Sequence, residues 1–155
     1  MNNPKAPKGT NIETLKILGQ SILRRLESQK MIAVFKEQRD QLVDTLAQYL
    51  QTIVRTQEDM ESEVLGSIGE KNEELNELHL SGGEAYRALR QQWLSKHGEY
   101  EVDGLYFQEP IKYIAEKIIK FLFKTPEVEE IFSDDKSMEK TIVATIGGFR
   151  RSKLR

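Results

Sequence analysis

The chain has 155 residues, 31% of them charged and 38% hydrophobic, yet its formal net charge at pH 7 is only −2. That length fits one domain or two very small ones, and balanced charge excludes a disordered acidic or basic tail protein in favour of helices with solvated, mixed-sign faces. With no cysteine in the chain, disulfides, zinc–thiolate centres and thiol catalysis are excluded.

The opening "MNNPKAPKGT" has no apolar stretch behind it, so no secretory signal is expected, and no run approaches the length that crosses a bilayer. The expected address is the cytoplasm. Pro4, Pro7 and Gly9 predict a loose arm over residues 1–9. Thr10 and Glu13 have the spacing of a capping box, and Ile12, Leu15, Leu18, Ile22 and Leu26 follow at helical intervals, predicting a helix from about Asn11 to Ser28. "MIAVF" (Met31 to Phe35) is short and contains β-branched residues, which suits either a brief strand or a single helical turn. A long helical pattern resumes with Leu42, Val43, Leu46, Leu50 and Ile53.

Residues 56–80 are mostly polar, with Met60, Val64, Ile68 and Leu75 as a thin apolar stripe. Gly66 and Gly69 each weaken a helix there by roughly 1 kcal/mol relative to alanine. The expectation is a solvent-rich helical connector, whole or broken near the glycines, with little core of its own. Its apolar residues Met60, Val64, Leu65 and Ile68, only partly covered, are then a candidate partner surface.

"SGGEAYRALRQQWLSKHG" begins with a second capping box, Ser81 to Glu84, and carries Tyr86, Leu89, Trp93 and Leu94 toward a C-terminal Gly98. In "EYEVDGLYFQE" the period changes: Tyr100 and Val102 alternate with acids, and Asp103-Gly104 is a hairpin turn into Leu105-Tyr106-Phe107. Pro110 suits the first turn of the next helix, whose Ile111, Ile114, Ala115, Ile118, Phe121 and Leu122 share one arc, with Tyr113 and Phe123 outside it. In "TPEVEEIFSDDKSMEKTI", Thr125 and Pro126 read as a helix start, with Val128, Ile131 and Phe132 inward. Ser133, Asp134 and Asp135 offer caps for a final helix bearing Met138, Ile142, Val143 and Ile146. This acidic stretch is thus a corner between helices rather than a carboxylate site.

Two segments are alike: "ILRRLESQKMIAVFKEQRDQLVDTLAQYL" and "IIKFLFKTPEVEEIFSDDKSMEKTIVATI". Ile22 matches Ile118, Leu26 matches Leu122, and Phe35 matches Phe132 after a one-residue adjustment. The second segment, extended to "YIAEKIIKFLFKTPEVEEIFSDDKSMEKTI", together with "GEAYRALRQQWLSKHG", resembles a bacterial family catalogued as domain of unknown function five hundred seven. There a helix leads through an apolar-acidic corner into an acidic-capped helix, and a later helix has a tyrosine near its start and a basic residue and glycine at its end, as Tyr86 and Lys96 to Gly98 do here. The glycine-containing stretch Gly66 to Leu80 and the turn at Asp103-Gly104 depart from it. The resemblance implies an α-helical, cytoplasmic bacterial protein; it brings no activity and no functional residue.

Catalytic residue patterns are sparse. The two histidines, His79 and His97, each lie beside a helix end, and no H-x-x-x-H, H-E-x-x-H or EF-hand spacing is present. Gly82-Gly83 and Gly147-Gly148 lack the strand and lysine of phosphate loops, and there is no G-x-S-x-G elbow. No cofactor, metal or small-molecule substrate is expected, and the protein is expected not to be an enzyme. The tail "FRRSKLR" places Arg150, Arg151, Lys153 and Arg155 together, a cluster that can neutralise phosphates, with Lys5 and Lys8 as additions. Basic residues after a helix also stabilise its C-terminus without any ligand. The lysine-flanked helix Ile111 to Lys124 is too rich in core residues to lie on a membrane surface.

The resulting expectation is a mainly all-α domain of about six helices, built from two related helical hairpins with one short β-hairpin near residues 99–108. Residues 10–98 form an N-terminal unit containing the connector 56–80, 99–148 a C-terminal hairpin unit, and 149–155 a basic tail. The leading function is a non-catalytic cytoplasmic adaptor or assembly module that meets a protein partner or a second copy through helical surfaces. The second is a small nucleic-acid-associated protein using its C-terminal tail.

Overall fold

The computed structural model describes residues 10–77, 79 and 81–151. The chain order is α1 (Thr10–Ser28), β1 (Ile32–Val34), a 3₁₀ turn (Lys36–Gln38), α2 (Arg39–Gln51), β2 (Val54–Thr56), α3 (Gln57–Glu70), α4 (Asn72–Glu77), α5 (Gly82–His97), β3 (Tyr100–Val102), β4 (Leu105–Phe107), α6 (Ile111–Lys124), β5 (Val128–Ile131) and α7 (Asp135–Gly148). The fold is mainly α, with six helices of at least 13 residues and one shorter, α4, among the described residues. The expected arm, Lys153 and Arg155 lie outside the described residues, as does the side chain of Leu75.

Residues 10–51 and 111–148 each run helix–strand–helix. Their buried positions correspond at one constant spacing: Leu18 with Ile114, Ile22 with Ile118, Leu23 with Ile119, Leu26 with Leu122, then Leu42 with Met138, Leu46 with Ile142 and Leu50 with Ile146. β1 and β5 pair antiparallel, with Ile32 opposite Ile131, Ala33 opposite Glu130 and Val34 opposite Val128. The register slips between Ala33 and Val34, so β5 holds one extra residue. The bonds that close the ladder are also matched. Phe35 N–H donates to Glu127 O at 3.1 Å, and Phe132 N–H donates to Met31 O at 2.8 Å. The one-residue adjustment between Phe35 and Phe132 is therefore accommodated within the strands.

One core spans both units, from Leu15 to Phe149, so the division expected between residues 98 and 99 does not separate two cores. Each leucine fully buried there contributes about 2 kcal/mol. At Gly19 an added Cβ would sit 3.3 Å from Leu46 Cδ2, and the matching position on α6 is the small Ala115. Small residues at this place let α1 and α6 approach the helices packed on them.

Residues 52–110 are inserted between the two units. The hairpin of β3 and β4 turns at Asp103 (φ 44) and Gly104 (φ 87), as the Asp-Gly pair predicts. β2 adds to its other side, Arg55 opposite Tyr106, making a three-stranded sheet ordered β2-β4-β3. The helical pattern ending at Ile53 concealed this strand, because Ile53 is itself buried but follows the end of α2.

Two expectations need correction. The connector has a core of its own: Met60 and Val64 are buried with Ala85, Leu89, Trp93 and Tyr106, because α3 packs on α5. Met60 and Val64 are thus unavailable as a partner surface; Ile68 packs against the same cluster, and Leu65 alone of the four is exposed. The connector's helix is as expected in extent, since α3 runs through Gly66 and Gly69 and ends at Glu70, just beyond them. Second, Thr125 caps the C-terminus of α6 instead of starting a helix. The residue before a proline is driven to extended geometry, and Thr125 has φ −85 and ψ 133. The chain continues extended into β5, and Phe132 stands 59% exposed rather than facing inward.

Candidate interaction surface

Six large apolar side chains are exposed among the described residues, and four of them are aromatics of the paired helix–strand–helix units: Phe35, Tyr113, Phe123 and Phe132. α6 explains two of these. Its arc of Ile114, Ala115, Ile118, Ile119 and Leu122 is buried, which leaves Tyr113 and Phe123 on the outer side at helical spacing. Phe35 and Phe132 are exposed for a different reason: each follows the last residue of its strand, where side-chain alternation turns it away from the core.

Phe123 lies in an open groove of about 250 Å³ between α6 and the start of α7. Its apolar lining is Ile119 and Phe123; Glu116, Asp135 and Glu139 supply carboxylates and Lys120 and Lys136 ammonium groups. At the matching place between α1 and α2 there is also an open groove, of about 420 Å³, lined by Gln20, Arg24, Asp40 and Val43 among others, with an arginine clamp beside it. Arg39 donates through Nη2 to Glu27 Oε1 at 2.7 Å and through Nη1 to Gln20 Oε1 at 2.6 Å, tying the start of α2 to α1.

A partly buried polar cluster joins α3, α5 and β2. Trp93 donates its indole N–H to Glu63 Oε1 at 3.1 Å, and Arg55 Nε lies 3.2 Å from Glu63 Oε2. Tyr106 meets Trp93 edge-on at 4.9 Å between ring centroids, and the His97 ring lies 4.5 Å from that of Trp93. Burial holds His97 below the usual histidine range and pushes the Tyr106 phenol up. Thr56 and Asp59 form a buried capping box on α3, with Thr56 N–H donating to Asp59 Oδ2 at 2.8 Å. Burial pushes the Asp59 carboxyl above its ordinary value despite these bonds. Unlike the boxes at Thr10 and Ser81, this one has aspartate rather than glutamate at its third position. A recess of about 230 Å³ beside the cluster is lined by Arg55, Lys96, His97 and Tyr106, among others. It sits at the C-terminal end of α5, whose carbonyls disfavour an anion. His79 is exposed and distant in role, its N–H bonded to Asn76 O at 3.0 Å. Among the described residues no three histidine or acidic side chains gather as metal ligands, and no helix is long and apolar enough to cross a membrane.

Both described arginines of the tail are engaged within the chain. Arg150 Nη1 donates to Gly147 O at 2.9 Å and Phe149 O at 2.7 Å, capping α7. Arg151 pairs with Glu58 on α3 and passes over Gly104. Burial pushes the Glu58 carboxyl up, but Arg151 and the amides at the start of α3 outweigh it and hold the group below its usual range. No protein family, curated protein or solved structure matches the chain.

Proposed function

We propose that the protein is a non-catalytic cytoplasmic adaptor or assembly module that binds a protein partner through the α6 side of its paired helix–strand–helix units. The observation that carries this reading is the set of exposed aromatics, Phe123 and Phe132 above all, on elements whose other faces form a tightly filled core. Aromatic residues are enriched at protein interfaces, and exposing them without a partner is unfavourable. The rigid helices behind them hold such anchors at low entropic cost. Resemblance to the uncharacterised bacterial helical family, and a duplication relating the two units, belong to the same proposal.

The test is a tagged pull-down from native lysate with nuclease-treated and untreated halves, run beside a Phe123→Ser, Phe132→Ser variant. Proteins that survive nuclease and are lost with the variant support the adaptor. Partners that are lost on nuclease treatment but kept by the variant would overturn it in favour of nucleic-acid association.

A further inference from the structure

We infer that the outward face of the β1–β5 ribbon is a docking surface for a second copy of this chain. The inference goes beyond the proposed partner and shares Phe132 with it, so a partner that takes Phe132 displaces the second copy. The two bonds that close the ladder, Phe35 N–H to Glu127 O and Phe132 N–H to Met31 O, exchange places under the correspondence of the two units. The antiparallel ribbon therefore has an approximate two-fold axis through its centre. Alternation along the strands sends Ile32, Val34, Val128 and Ile131 toward the core. It leaves Ala33 and Phe35 outward on β1, and Glu130, which lies opposite Ala33, outward with Phe132 on β5. Phe35 is 41% exposed and Phe132 59%, and they stand at opposite corners of this face.

Charge and size select the second copy as the occupant. Beside β1 the exposed cations are Lys30 and Lys36, with Glu37 after them, whereas β5 exposes Glu129 and Glu130. Among the described residues, Lys30, Lys36, Glu129 and Glu130 make no ion pair. One half of the face is thus basic and the other acidic, so the face complements itself when a copy is turned over. A half-turn about an axis parallel to the strands lays β1 of one copy over β5 of the other. Glu130 then faces the small Ala33 of the second copy between its two lysines, the two Phe35 rings meet, and so do the two Phe132 rings. A half-turn about an axis across the strands instead sets Glu130 on Glu130, which is repulsive. From strand geometry the ribbon face measures about 17 Å by 10 Å, well below the roughly 800 Å² per partner of a stable complex, so the dimer is weak.

Sedimentation equilibrium of the full chain, from micromolar to millimolar concentration at low and at high salt, tests the inference. A reversible monomer–dimer equilibrium is expected, weakened several-fold by salt and about tenfold by Phe35→Ser. A Lys30→Glu, Lys36→Glu variant and a Glu129→Lys, Glu130→Lys variant should each be monomeric, because each gives the face a single sign. Mixing the two should restore a dimer with one chain of each, and Phe35→Ser in both chains should weaken it again. All these positions are exposed, so circular dichroism of each variant should match the parent and show it folded. A strict monomer at millimolar concentration, a dimer indifferent to Phe35→Ser, or charge variants that fail to associate on mixing would overturn the inference. If the chain is monomeric while protein partners are still lost with the Phe123→Ser, Phe132→Ser variant, the adaptor reading stands without it. If the chain dimerises as described and no such partner is recovered, the dimer stands and the adaptor reading falls.

Discussion

Trp93 and Glu63 join α5 to α3 through one indole N–H bond of 3.1 Å, and Glu63 spends its other oxygen on Arg55 of β2. One carboxylate thus binds two helices and a sheet. Glu63→Ala strands the indole donor and removes the ion-pair partner of Arg55 in a partly desolvated place, and is expected to destabilise the protein by about 2 kcal/mol, whereas Trp93→Phe removes one bond and is expected to lose about 1 kcal/mol. Urea unfolding checks both. Trp93 is the single tryptophan, so its emission in Glu63→Ala also reports directly on the second core.

Asp59 makes a pH prediction of unusual sign. Its carboxyl is raised in the folded state, first by burial. The stability it contributes is therefore complete below its ordinary value of 3.8 and is lost as pH rises through the higher folded value. Asp59→Asn has no such titration. The stability of the parent relative to Asp59→Asn should fall with rising pH across that window, measured by urea midpoints at each pH. A difference independent of pH would contradict the assignment.

Arg151 and Glu58 form the partly buried ion pair that ties the end of the chain to α3. A double-mutant cycle with Arg151→Ala and Glu58→Ala is expected to give a coupling of about 1 kcal/mol. Glu58 is lowered in the folded state, so this contribution is present above its ordinary value of 4.5 and disappears as pH falls through the lower folded value. No coupling would return Arg151 to the role of a free basic residue.

Gly104 has φ +87, and a Cβ there would lie 3.0 Å from Arg151 Nη1. Gly104→Ala should cost about 1–2 kcal/mol from the left-handed backbone alone, and thermal melting measures it. Asp103, the other positive-φ residue of the turn, tolerates that conformation as aspartate does.

Much of the helical architecture was legible because caps and apolar spacing are local signals. Ser81 and Glu84 form the expected box, with bonds of 3.1 and 2.9 Å, and Asp134 caps α7 by accepting from Ser137 N–H at 2.7 Å. The Asp-Gly turn was equally local. What escaped depends on partners distant in the chain. The extended geometry after Thr125 is stabilised by pairing with β1, and β2 exists because β4 offers it an edge. Met60 and Val64 read as an exposed stripe because their cover comes from α5, which is separated from them by a polar segment.

Of the interaction surface, the sequence placed Tyr113 and Phe123 outside the buried arc of α6, and the structure exposes both. It did not single out the groove. The internal comparison shows where the two units differ: Arg39 and Glu27 pair across α1 and α2, while Asp135 and Phe123, at matching positions, carry no such opposite charges. The resemblance of the two segments was visible, but only the three-dimensional clamp gives a meaning to where they differ.

The central claim is that a partner protein docks on the α6 side. Photo-crosslinking in cells tests it most directly, with a photoreactive side chain placed at residue 123, at 132, or at the exposed control position Gln91 on α5. The account predicts the same discrete protein adduct from 123 and 132 and none from 91. No adduct from 123 and 132, or an indistinguishable pattern from all three, would contradict it.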